Sequence, residues 1–176
     1  MTKSEQSFEG VLLDTPAGSA SVDVVIPLAR PECVSAVEEF TRNWSALRRQ
    51  LERPLFAYYW STLVGASESG PRISSQDEIW RYVSIGEIRP ELSDSGDRYV
   101  RVTGGCSWEE EHGLEIQIRN GTEIIYCGTF KGRLMESPCA NSWNFANSEI
   151  QLATLEQEFV DEEELEEIAR ASRNMY

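Results

Sequence analysis

The chain reads as an α+β protein, and three observations predict that class. Two β-prone runs, Phe8–Asp14 and Ser19–Leu28, flank the breaker cluster Asp14-Thr15-Pro16-Ala17-Gly18. An apolar stripe at spacings of three and four then runs through Val34, Val37, Phe40, Trp44, Leu47 and Leu51. Strand composition returns near Ser84 and ends in two β-prone runs around Asn120-Gly121. Strands, then helices, then strands favour an antiparallel sheet packed on one face by helices. We therefore expect an N-terminal hairpin, a C-terminal three-stranded meander, a helical pair over Pro31–Val64, and an acidic C-terminal helix.

Each element follows from local chemistry. The first hairpin closes through a loop of about four residues, and Pro27 stops its second strand because proline removes a ladder donor. Pro31 occupies a first-turn position, where its missing N–H costs nothing, so a helix begins there. Pro54 is expected to end that helix and start a second, Leu55 to about Val64, rich in Phe56, Tyr58, Tyr59 and Trp60. These aromatics read as core, since aromatic side chains dominate core burial. Gly65–Ser74 is a breaker-rich loop. Ser75-Gln76-Asp77-Glu78 has capping-box spacing before Ile79, Trp80 and Val83 and predicts a short helix.

Ser84–Arg89 predicts a strand ended by Pro90, and Glu91–Asp97 a polar turn. Tyr99–Thr103 alternates apolar and polar residues. Leu114, Ile116 and Ile118 share one face of the following strand, with Glu115, Gln117 and Arg119 on the other. Asn120-Gly121 predicts a tight hairpin, because a type I′ turn needs positive φ at both central residues. Residues Leu134–Asn147 read as irregular. Thr154-Leu155-Glu156-Gln157 has capping-box spacing ahead of an acidic helix, with six acids in the seven positions Asp161–Glu167. The expected organisation is one α+β domain over 1–148 and an acidic helix over 149–176 docked on it.

The 176 residues suffice to bury a core without staples. The net charge is −14, and residues 149–176 contribute half of it, with nine acids against two bases. Such a chain is repelled by phosphate backbones and anionic lipid, which argues against direct nucleic-acid or membrane binding. Solubility, a basic protein partner or a cation accounts for the charge. Cys33, Cys106, Cys127 and Cys139 form no C-x-x-C pair, and there is one histidine, so no metal site or cofactor is expected. Reduced thiols, the absence of an apolar leader at Met1–Gly10 and the absence of a bilayer-length apolar run point to a cytoplasmic protein.

The chemically dense stretch is Gly104–Gly113, expected to be a loop between two strands. It holds Cys106, Trp108, Glu109, Glu110, Glu111 and His112. A carboxylate beside a histidine can hold its tautomer, as a general base requires. Adjacent strand residues point to opposite faces, so Glu110 rather than Glu111 is the expected partner of His112. No nucleophile can be assigned from spacing, and no phosphate-binding loop, nucleophile elbow or zinc-protease motif occurs. The structural reading is simpler: Gly104-Gly105 permits a bulge, Gly113 an unusual φ, and Trp108 caps the core.

Trp108-x-x-Glu111-His112-Gly113-Leu114, followed by alternating strand residues and Asn-Gly, resembles a bacterial family of uncharacterised domains. Those carry a Trp-x-x-Glu-His-Gly-Leu signature leading into a C-terminal hairpin. The likeness spans about residues 8–130 and leaves the acidic tail outside. Some relatives resemble products encoded near secreted toxins. The resemblance and the charge together imply a non-enzymatic protein-binding module, including an immunity-type inhibitor of a basic toxin or nuclease. Its candidate contact residues are Trp108, Glu109, Glu110, Glu111 and His112, with no catalytic residue assigned. The alternative is a small-ligand-binding protein or hydrolase-type enzyme using Glu110, Glu111 and His112.

Overall fold

The computed structural model describes residues 5–15, 18–27, 30–66 and 71–135. They lie in one compact unit, Met1–Asn144; the second unit, Phe145–Tyr176, on which the expectation of an acidic helix falls, lies outside the described residues. In chain order the elements are β1 (Glu5–Thr15), β2 (Gly18–Pro27), α1 (Pro31–Ala66), a 3-10 helix α2 (Gln76–Tyr82), β3 (Val83–Leu92), β4 (Arg98–Cys106), β5 (Glu109–Arg119) and β6 (Glu123–Gly128). The class is α+β.

The six strands lie in sequence order in one sheet. It is mixed rather than wholly antiparallel: β2 and β3 run parallel, with Asp23 opposite Glu87 and Val24 opposite Ile88. The cause is the connection. Antiparallel neighbours can join through a tight turn, whereas parallel neighbours need a crossover that carries the chain back along the sheet. A 36-residue helix does this, at ~1.5 Å per residue, with the 3-10 turn completing the return. Every other neighbouring pair is antiparallel, and β3 extends the expected three-stranded unit to four strands.

The expected helical pair is a single helix that runs through Pro54. Proline leaves the carbonyl of Gln50 without its helical donor, but Gln50 is exposed, so water can satisfy it. The buried stripe continues across the proline through Leu47, Leu51, Leu55, Tyr58 and Tyr59. Packing of that stripe outweighs the local penalty. At the other end Val34 is exposed, and Cys33 and Ala36 are buried beside the expected Val37.

The core lies between α1 and one face of the sheet. Leu13, Val22, Val24, Ile88, Val100, Val102, Leu114, Ile116 and Ile118 are all buried there. Phe40 and Trp44 pack at 5.4 Å between ring centroids, and Trp44 meets Trp80 edge-on at 5.5 Å. Both indoles keep a hydrogen bond: Trp44 Nε1 donates to the Asp14 carbonyl at 2.9 Å and Trp80 Nε1 to that of Arg48 at 3.1 Å. The Ser75 side chain makes no cap bond; the Glu78 carboxylate instead accepts from Ser74 N at 3.4 Å. The Asn120-Gly121 turn adopts positive φ at both residues, 47° and 72°. Arg119 and Glu123 brace it with paired bonds of 2.8 and 2.7 Å.

Candidate functional site at the β4–β5 turn

The expected loop Gly104–Gly113 is mostly strand. β4 continues to Cys106, which faces Glu109 at the start of β5, leaving Ser107 and Trp108 as the turn. A register shift between Gly104 and Cys106 is the bulge that the paired glycines suggested. Gly104 is forced by close approach: a Cβ there would lie 1.9 Å from the Ser84 carbonyl oxygen on β3. Gly113 takes φ 66°, and a Cβ would press on the Gly104 carbonyl at 2.8 Å.

Trp108 is 2% exposed. Its ring stands edge-on to Tyr58 at 5.9 Å and Tyr59 at 5.7 Å, on the second half of α1. Its Nε1 has no hydrogen-bond partner among the described residues. The tyrosines carry the anchoring further. Tyr58 Oη donates to the Gly113 carbonyl at 3.1 Å and accepts from Thr129 Oγ1 at 3.3 Å. Tyr59 Oη donates to the Pro71 carbonyl and accepts from Ile73 N. Burial pushes both phenols above the ordinary tyrosine range. They act as neutral hydrogen-bonding groups, and the turn is fixed to α1 from below.

Glu109 fixes the turn from within. Its Oε1 accepts from Glu111 N at 3.1 Å and His112 N at 3.2 Å, and lies 3.3 Å from His112 Nδ1. Partial burial alone would raise the carboxyl; the backbone and ring groups of His112 and the Glu111 N–H outweigh it and hold Glu109 below its ordinary value. The histidine's partner is therefore Glu109, three residues back, and neither Glu110 nor Glu111. Those two side chains and His112 are exposed.

The nearby groups are poorly placed for nucleophilic chemistry. Burial pushes the Cys106 thiol up to about 12, and its Sγ donates to the Glu109 carbonyl at 3.7 Å. Ser107 Oγ donates to the Tyr82 carbonyl at 3.5 Å. Beside the turn lies an open, shallow hollow lined in part by Arg81, Ser84, Ser107 and Glu110. No group of three or more potential metal ligands occurs among the described residues. No helix among them is long and apolar enough to cross a membrane.

A second polar cluster escaped the sequence reading. Glu115 and Gln117, on the strand face away from Leu114, Ile116 and Ile118, are both 0% exposed. They lie on the sheet face opposite α1, beneath the chain that follows β6. Glu115 Oε2 accepts from Lys131 N at 2.8 Å and Gly132 N at 2.9 Å, while Oε1 takes a short bond from Gln117 Nε2. Gln117 Nε2 also donates to the Arg133 carbonyl, and its Oε1 accepts from Met135 N, both at 2.8 Å. Tyr99, Ile125, Tyr126 and Met135 form a small apolar cluster beside this pair, with Leu134 packed on it. The only sequence signal was Leu134-Met135 after Gly128 and Gly132, an apolar pair that needed cover.

A family model described as a domain of unknown function (DUF6985) matches residues 17–135. The chain belongs to that family. The match takes in β2 to β6, α1, the turn and the Lys131–Met135 strap over Glu115 and Gln117. No curated protein and no solved structure matches the chain.

Proposed function

We propose that this protein is a non-enzymatic, cytoplasmic protein-binding module of bacterial origin. It acts as an immunity-type inhibitor of a basic toxin or nuclease, and Trp108-x-x-Glu111-His112-Gly113-Leu114 is the family signature. The observation that supports this reading best is the form of the β4–β5 tip. Glu110, Glu111 and His112 are exposed at the start of β5, next to a two-residue turn anchored by buried Trp108, and the Glu109 carboxylate holds the Glu111 and His112 amides. A rigid acidic protrusion loses little conformational entropy on docking, and charge complementarity raises on-rate and selects a basic partner. Trp108 and Glu109 thus serve the surface by shaping it, and the direct contacts fall to Glu110, Glu111 and His112.

The test is affinity purification of the full chain from its native lysate at low and high salt, followed by binding kinetics on the recovered protein. A stoichiometric basic protein released at high salt is expected. Charge reversal in Glu110→Lys plus Glu111→Lys should lower the association rate by about 10-fold or more while leaving the melting temperature near that of the parent. A complex indifferent to both salt and charge reversal would remove the tip from the interface. The hydrolase-type alternative now rests on the Glu109–His112 pair beside the shallow hollow. It requires that His112→Asn abolish turnover of a ligand at unchanged stability.

A further inference from the structure

Beyond the tip, the buried Glu115–Gln117 pair has an unusual set of partners. Among the described residues, the hydrogen bonds these two side chains make beyond the bond between them all go to backbone groups: the N–H of Lys131, Gly132 and Met135, and the carbonyl of Arg133. The outward side chains of this segment, Phe130, Lys131 and Arg133, are exposed. With one N–H spent on Glu115, the Gln117 carboxamide turns one donor and one acceptor toward this segment, as a strand residue does. It engages the carbonyl of residue 133 and the N–H of residue 135, the two-residue step with which a strand residue meets a parallel neighbour. Glu115 supplies an acceptor to two successive N–H groups, the arrangement of a backbone anion nest.

We propose that Glu115 and Gln117 form a peptide-backbone receptor on the sheet face opposite α1, and that its resident ligand is this chain's own Lys131–Met135 segment. The receptor reads main chain, so it tolerates varied side chains at the outward positions. It is selective at two places. Gly132 has φ 67°, which a β-branched residue resists, and Met135 fills the apolar cluster of Tyr99, Ile125 and Tyr126. The ligand class is therefore a peptide bent at a left-handed glycine three residues before an apolar anchor. Because the strap is held by a few side-chain bonds rather than by a full ladder, it opens as a unit separate from the sheet.

Two measurements on the full chain test this. In amide hydrogen exchange, Glu115→Gln should accelerate Lys131 and Gly132 by about tenfold or more. Ile116 and Val102, paired in the β4–β5 ladder, should keep their rates. Acceleration of the ladder amides to the same degree, or no acceleration of the strap, would reduce the pair to ordinary core and overturn the proposal. In the second measurement the strap is weakened by Gly132→Val with the receptor left intact. A synthetic peptide with the sequence Thr129–Met135 is then added. The expected result is a saturable shift of the Gln117 side-chain amide resonances, absent with a peptide carrying valine at the glycine position. Resonances unmoved at millimolar peptide, or moved equally by both peptides, would likewise overturn it.

Discussion

Trp108 and Glu109 carry most of what the turn needs, and they do so by different physics. Trp108 contributes buried area against two tyrosines, so Trp108→Ala is expected to cost ~3–5 kcal/mol of stability, read by denaturant unfolding. A loss confined to partner binding would contradict its 2% exposure. Glu109 contributes charge. Its folded pKa is depressed, so the ionised form favours the folded turn; that contribution is fully present above the ordinary value of 4.5 and disappears as pH falls through the lower folded value. The amides of Glu111 and His112 should lose exchange protection across that acid window while Ile116 and Ile118 keep theirs. An acid titration in which Glu111 and His112 stay as protected as the ladder would show that the carboxylate does not hold the turn. The sequence made Trp108 legible as a core cap, because a large ring between glycines has few other places to go. It did not make the His112 partner legible. Alternation pointed to Glu110, but the turn brings Glu109 back over the strand instead.

At the scale of elements, two substitutions separate local preference from packing. Pro54 sits inside α1, where proline costs about 3 kcal/mol against alanine; its ring is buried, so part of that gain is lost on removal. Pro54→Ala is expected to raise stability by about 1–2 kcal/mol in chemical denaturation, and a marked loss would show that the ring's packing dominates. Gly104→Ala has the opposite sign. No flexible side chain lies in the way that could yield; the Cβ meets the Ser84 carbonyl of the neighbouring strand. A loss of more than about 3 kcal/mol is expected, with exchange protection falling first at the Ser84–Gly105 end of the β3–β4 ladder. These positions also show where sequence reading stops. Strand runs, the long apolar stripe and Asn120-Gly121 are local signals and were readable. The helix break at Pro54 was a local inference that tertiary packing overrode. The parallel β2–β3 pair and the burial of Glu115 and Gln117 depend on where distant chain returns, which no window of residues encodes.

For the whole molecule, the charge of −14 gives two salt responses of opposite sign, and that difference can be measured. Self-repulsion among like charges weakens the compact state, and added salt screens it within a Debye length of ~10 Å at 0.1 M. The short ion pairs work against this trend, but those between Arg119 and Glu123, Arg98 and Glu39, and Arg89 and Glu87 are partly exposed and each contribute no more than ~1 kcal/mol. The melting temperature of the free chain should therefore rise as ionic strength increases from low values to physiological ones. Attraction between the acidic tip and a basic partner is screened by the same ions, so association should slow over that range. A complex lost at high salt from a chain that has become more stable has been lost through its interface and not through unfolding. If melting temperature and association fell together, the salt effect would lie in the fold, and the acidic tip would have no claim on the partner.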